Sequence, residues 1–238
     1  MSSGIALNTT STAARILVRE NNGGFAAAVN TGLKFLVEYG CEYVLVANSD
    51  VFAAERECAA ITVTTSVAMM DPKICVLGFL EESVQSSTAY EGSNISGFLF
   101  VLRLAVIEKV GYFDESFFMY GEEQDYFRRI QEAGFVIRQS QIRVKHLAEG
   151  SGGPRLRNSW LAIRNSLYLE VKRLKPWPIC KKAGVLFLLI NRIYLPEAGD
   201  DPSLRRVLRP GIFLGNLFLI CAIAWNTKKL FKIMIHEN

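Results

Sequence analysis

The sequence predicts an α/β fold built on a largely parallel sheet, and three observations carry that reading. Apolar runs at 43–47 and 74–80 have the length and composition of buried strands, and 96–102 reads as a further strand. Stretches of helical period alternate with them. With 238 residues, half of them hydrophobic, the chain can bury a sizeable core, so one globular domain with an appendage is expected.

Residues 15–20 (RILVRE) form a first strand candidate, followed by Asn21, Asn22, Gly23 and Gly24. A helix pattern, FAAAVNTGLKFLVEYG, then runs to a stop at Gly40. The strand at 43–47 ends in Asn48, Ser49 and Asp50. Residues 55–70 read as helix, 74–80 (ICVLGFL) and 96–102 (SGFLFVL) as strands, and 103–110 as a short helix. From Glu122 the segment EEQDYFRRIQEAGF spaces Phe127 and Ile130 three apart and stops at Gly134. Acidic residues fill its first turn and Arg128 and Arg129 follow, the order the helix dipole favours. Residues 136–144 return as an extended segment ending at His146.

The net charge of +4 conceals an asymmetry. Up to Gly150 there are 12 Lys and Arg against 18 Asp and Glu, net −6; from Ser151 there are 15 against 5, net +10. The acidic part suits a catalytic or metal-binding body and the basic part an anionic surface. Apolar runs interleaved with the basic residues favour a membrane leaflet over nucleic acid. The five cysteines lack CxxC spacing, which speaks against a disulfide framework or zinc ribbon and for a reducing setting. The first 14 residues have no basic or long apolar stretch of the signal-peptide kind, so a cytoplasmic start is expected.

Active sites of such sheets collect where strands end. Asp50 directly follows a buried strand, where a carboxylate would face the crevice; the alternative is an N-cap at a strand-to-helix turn. His146, one of two histidines, ends a strand before HLAEGSGG. It is either structural or surface-exposed, or it completes a cation site with a carboxylate from another strand end. In FFMYGEEQD three carboxylates, Glu122, Glu123 and Asp125, leave an aromatic loop at a helix start. They are either catalytic or a solvated, dipole-matched first turn. Asn22-Gly23-Gly24-Phe25 lacks the Walker and GxGxxG patterns and reads alone as a turn.

In the order NNGGFAAAVNTG, VLVANSD, ISGFLFVLRLAVIEKVGYFDESFFMYGEEQDYFRRIQEAGF, KHLAEGSG and a basic RNSLYL, over residues 20–170, these segments resemble the family 2 glycosyltransferases. The likeness is greatest to bacterial rhamnosyltransferase-like enzymes of cell-surface polysaccharide synthesis. It implies a GT-A type, Rossmann-like fold that binds nucleotide sugars. It also implies inverting transfer from a dTDP-, UDP- or GDP-linked donor to a hydroxyl of a glycan or lipid-linked acceptor. Asp50 falls on the last Asp of the family's DxD-type motif and would bind Mg2+ or Mn2+ with His146. Asn48 stands in place of the first acid. Glu123 falls on the catalytic base and Glu122 on its partner, a Glu-Glu pair where the family has Glu-Asp. Asn22, Gly24, Asn30 and Gly32 match the nucleotide-side loop and helix. Gly97 and Phe98 match the strand lining the sugar pocket, where a missing Cβ would let substrate approach. Asp114 in GYFDES would meet acceptor or cap a turn, and Asp125 would orient Arg128 or a loop, or touch substrate.

The family opens with a strand-helix-strand unit that holds the nucleoside, and such a unit needs at least ~30 residues. Fewer than 15 residues precede the first strand candidate, so that unit is expected to be missing. The competing expectation is a non-catalytic remnant or partner subunit that binds a membrane, its exposed sheet edge inviting self-association. The expected division is 1–153, a partial glycosyltransferase domain, and 154–238, a helical region. That region opens with a basic helix broken by Pro176 and Pro178, and continues with apolar runs at 183–195 and 211–225. The second run is 15 residues, short of the ~20 needed to span. A peripheral helix set on the inner face of the cell membrane, anchored by Lys228 and Lys229, is expected.

Overall fold

A computed structural model describes residues 15–82, 95–147, 155–172, 183–184, 187 and 214–229. The proposed 153/154 boundary, the proline break at 176–178 and most of the run 183–195 lie outside the described residues. Strand β1 (Tyr43–Ala47) is the first of five and borders helix α1 (Gly24–Glu38). After it come β2 (Val51–Phe52), α2 (Glu55–Ala68), β3 (Ile74–Glu81), β4 (Leu99–Arg103), α3 (Val106–Val110), α4 (Glu122–Glu132), β5 (Val136–His146) and α5 (Arg155–Val171).

The sheet runs β1-β4-β3-β5-β2. Strand β3 is buried over residues 74–80, as an uninterrupted apolar run requires. It pairs parallel with β5 and antiparallel with β4; β4 also opposes β1, and β2 opposes β5. The strands bracketing helices, β1, β3 and β5, therefore share a direction, but β4 and β2 run against them. The sheet is mixed, not mostly parallel. An apolar run reveals that a strand is buried, and it reads the same in either direction.

Period-two alternation builds the two faces. Phe100 and Leu102 of β4 point to the cluster that includes Ala26, Leu33, Tyr126, Phe127 and Ile130 of α1 and α4. Leu99 and Val101 point to the opposite cluster, with Ile61 and Ala68 of α2. Phe127 meets Phe100 edge-on, with centroids 5.2 Å apart. Residues 15–20 are not a strand: they have no ladder partner among the described residues, and Ile16 and Val18 are 72% and 87% exposed. Among the described residues this leaves β1 at the sheet edge. The expected strand at 96–102 begins only at Leu99, and the helix at 103–110 only at Val106.

Helix α5 and the helix at 214–229 pack together through Leu167, Leu219 and Ala222, while Tyr168 and Val171 enclose Phe117. The apolar run at 211–225 is thus partly spent on packing. Among the described residues no helix is long and apolar enough to cross a membrane.

Two glycines of α1 have opposite roles. Gly24 sits at φ 82°, and a Cβ there would lie 1.8 Å from the carbonyl oxygen of Phe118, so α1 starts in backbone contact with the loop before α4. Gly32 has no atom within 4 Å of the same position. Gly24→Ala should destabilise the protein by more than about 2 kcal/mol, and Gly32→Ala should stabilise it by about 0.5–1 kcal/mol, both read from urea unfolding.

Candidate active site

The loop at 113–121 carries α4 into the site and is clamped by α1 and α5. From α1, buried Asn30 donates to the carbonyl of Phe113 and to Glu115, and accepts from Phe113 N–H, all at 2.9 Å. From the first turn of the same helix, Phe25 N–H donates to Phe118 O at 2.9 Å. From α5, Asn165 donates both amide protons to consecutive carbonyls, Met119 at 2.8 Å and Tyr120 at 2.7 Å. Between these contacts Tyr120 (φ 72°) and Gly121 (φ 94°) adopt the left-handed region, uncommon for a tyrosine and found where surroundings impose it. The turn ends at Gly121, the N-cap of α4.

This turn delivers Glu122 and Glu123 into a pocket of about 610 Å3. Glu122 is 5% exposed, and its Oε2 has no hydrogen-bond partner among the described residues. Burial, reinforced by the neighbouring Glu123 carboxylate, pushes its carboxyl up to about 7. Burial raises Glu123 as well, partly offset by backbone hydrogen bonds at Glu123 and Gly121. The helix start keeps its acids in the first turn, as the dipole favours, but it is not solvated, since Glu122 and Asp125 are buried and Glu123 is only partly exposed. Gly97 makes room for this: a Cβ there would lie 3.2 Å from Cβ and Cγ of Glu123. The space the sequence suggests for substrate is filled by the glutamate itself.

Asp50 and His146 meet at another wall of the pocket. The two-residue ladder of β2 sets Val51 opposite His146, so Asp50 Oδ1 lies 3.2 Å from His146 Nε2. Asn48 Nδ2 is 3.4 Å from the same nitrogen, and its backbone N–H donates to Phe98 O at 2.8 Å. The Phe98 ring stacks on the imidazole, with centroids 5.0 Å apart. Asp50 is not the N-cap of α2; Ala54 holds that place, its N–H bonded to Glu57 at 2.9 Å. Glu81 Oε1 lies 3.7 Å from the far ring nitrogen, Nδ1. Among the described residues no three His, Cys, Asp or Glu side chains converge as a cation site. The donors that do meet, a carboxylate, an imidazole and an amide, are of the hard and borderline kinds that accept Mg2+ or Mn2+.

The pocket thus gathers Asn48, Asp50, Gly97, Phe98, Glu122, Glu123 and His146. The other sequence candidates lie elsewhere. Asn22 accepts the N–H of Gly24 at 3.0 Å, Gly24 and Asn30 hold the loop, and Gly32 faces open space. Asp125 is fully buried under Arg128 (3.1 Å), Arg129 (3.0 Å) and Lys172 (2.7 Å). Asp114 accepts from Tyr168 and Lys172, each at 3.0 Å. Burial alone would raise Asp114, but the Lys172 charge and the bonds from Ser116 and Lys172 outweigh it and hold the carboxyl at about 2. Sequence reasoning missed Asn165, Lys172 and Tyr120. RNSLYL figured only as a basic segment, whereas its asparagine and tyrosine are the working members.

The raised Glu122 has a stability signature. A carboxyl that holds its proton more tightly when folded favours the folded state most below its unfolded value near 4.5, and that advantage is lost as pH climbs to about 7. Between pH 4.5 and 7.5 the parent protein should lose on the order of 3 kcal/mol more stability than Glu122→Gln, measured by urea unfolding at both pH values. Separately, Asn165→Ala strips two part-buried carbonyls of their donor and should cost about 1–3 kcal/mol in the same assay.

No protein-family model matches the chain, and no curated protein matches it. Among solved structures it is similar to the mannosyltransferase PcManGT from Pyrobaculum calidifontis in complex with GDP-Man and Mn2+, at 16% identity and a TM-score of 0.49. The match covers 86% of this chain and 66% of that one, so the chain spans just under two thirds of that protein's length.

Proposed function

We propose that this chain is a glycosyltransferase of the family 2, rhamnosyltransferase-like kind. In this reading it transfers a sugar with inversion from a nucleotide-diphosphate donor to a saccharide or lipid-linked acceptor, in the synthesis of a bacterial cell-surface polysaccharide. The observation that carries the reading is the pocket's make-up: two enclosed carboxylates at the start of α4 share it with the Asp50–His146 pair. Inverting transfer needs a base at the acceptor and positive charge at the departing diphosphate.

Glu123 is the base. Burial raises both carboxyls, Glu122 further because of the Glu123 charge beside it, and Glu123 stands at the position that carries the base in the family the sequence resembles. In the reaction the acceptor oxygen bonds to the donor's anomeric carbon, the bond from that carbon to the diphosphate breaks with its electron pair, and the acceptor proton passes to Glu123. Asp50 and His146, with Asn48 beside them, would hold a divalent Mg2+ or Mn2+, which supplies charge to the diphosphate when bound. The aromatic rings of Phe25 and Tyr120 and the thioether of Met119 give the pocket part of its apolar lining.

With Mn2+ and a panel of dTDP-, UDP- and GDP-linked sugars plus glycan acceptors, the full chain should release nucleoside diphosphate, and Glu123→Gln should lower kcat by about 100-fold or more. A Glu123→Gln variant that turns over at the parent rate would exclude the assignment.

The acceptor class fits a surface on the helix at 214–229. Leu219, Ala222 and Asn226 are buried against the protein, while Leu217, Ile220 and Ile223 stay exposed and Lys228 follows at the end. This face suits the headgroup boundary of an anionic membrane, at the cytoplasmic side. The chain should co-sediment with phosphatidylserine vesicles, and a doubly substituted Ile220→Asp, Ile223→Asp protein should bind at least about 10-fold more weakly.

A further inference from the structure

Glu81 belongs to none of the motifs in the sequence, yet it stands against the one histidine of the pocket. It ends β3, and the parallel ladder sets it opposite Val144, two residues before His146. Its neighbour Glu82 fastens the strand end, donating its N–H to Val144 O at 3.0 Å. Glu81 Oε1 then lies 3.7 Å from His146 Nδ1, a buried nitrogen with no hydrogen bond among the described residues. Asp50 Oδ1 is at the other ring nitrogen, so the imidazole has a carboxylate at each end and cannot turn freely over Phe98.

We propose that Glu81 is the positioning residue for His146: its carboxylate accepts a hydrogen bond from Nδ1–H, which keeps the ring proton on Nδ1 and leaves the Nε2 lone pair toward the pocket. The inference rests on the reading of Asp50 and His146 as a cation site. A neutral imidazole carries a single N–H. With that proton on Nε2, directed at Asp50, the ring has no lone pair for a cation there; with it on Nδ1, directed at Glu81, it does. Asn48 Nδ2, 3.4 Å from Nε2, is a second group that wants a lone pair at that nitrogen. Glu81 itself cannot ligate the same cation, because the ring stands between them. An orphaned buried nitrogen ordinarily calls for an explanation, and a carboxylate within a small rotamer adjustment supplies it.

The test measures Mn2+ binding by loss of the free-ion electron paramagnetic resonance signal, with Mn2+ alone and with UDP, GDP or dTDP. The proteins are the full-length parent, Glu81→Gln, Glu81→Leu and Asp50→Asn. Glu81→Leu, which has no acceptor, should bind Mn2+ about 10- to 100-fold more weakly, and Glu81→Gln, which keeps an oxygen acceptor, should recover most of that loss. Parent-like binding by Glu81→Leu, with Asp50→Asn impaired, would overturn the role of Glu81 alone. No binding by the parent, or full binding by Asp50→Asn, would overturn the cation site and this inference with it. A second measurement needs no variant. The chain has two histidines, and long-range 15N–1H spectra of the Mg2+-loaded parent, taken where ring shifts no longer change with pH, should show His146 protonated at Nδ1; a proton on Nε2 contradicts the proposal.

Discussion

Asn165 holds two successive carbonyls of a turn that a tyrosine and a glycine both enter in the left-handed region, and the candidate site depends on that contact. Backbone at positive φ reverses the chain within two residues, so the aromatic segment before it stays packed on α5 while the glutamates after it enter the pocket. The ion pairs around buried Asp125 stiffen the same region. Lys172 bridges Asp114 of the loop and Asp125 of α4, and Arg128 and Arg129 complete the charge around Asp125. Asp125, fully buried, would be an uncompensated charge without these partners, and its bond to Lys172 ties α5 to α4 and the loop. The basic region after Ser151 therefore has an internal electrostatic role in addition to any surface it meets.

The pocket keeps two unlike electrostatic environments close together. At the start of α4, enclosure makes the carboxylates reluctant to ionise, the condition that brings an acid near neutrality and makes it useful for moving protons. At the end of β5, Asp50 and His146 retain partial exposure and face each other, a pairing made by a ladder of only two residues. Gly97 is the small residue that lets Glu123 sit close to the strand, because even a Cβ there would press on the glutamate side chain at 3.2 Å.

Much of this was legible in the sequence where one physical property decides the outcome. Unbroken apolarity marks β3, and a helix stop at Gly134 follows from its positive φ. The placement of Asp50, His146 and Glu123 in one pocket follows from strand ends and helix starts being the places where side chains leave the core. Strand direction was not legible, because β4 is buried on both faces and its apolar run has no polarity. Nor were the long-range contacts. Asn30 matches a nucleotide-side pattern, yet its amide is spent on a loop 83 residues away. Asp114 and Asp125 have the composition of site residues and the partners of structural ones, and only the fold shows that Lys172 lies between them.

The central claim is that the buried carboxylates and the Asp50–His146 pair form one site around a cation-bound diphosphate. It is tested most directly by crystals grown with Mn2+ and a nucleoside diphosphate, with data collected near the manganese edge. The account predicts an anomalous peak within ligand distance of Asp50 and His146, with the diphosphate reaching into the pocket that holds Glu122 and Glu123. A nucleotide bound elsewhere, or manganese seated away from Asp50 and His146, would contradict it.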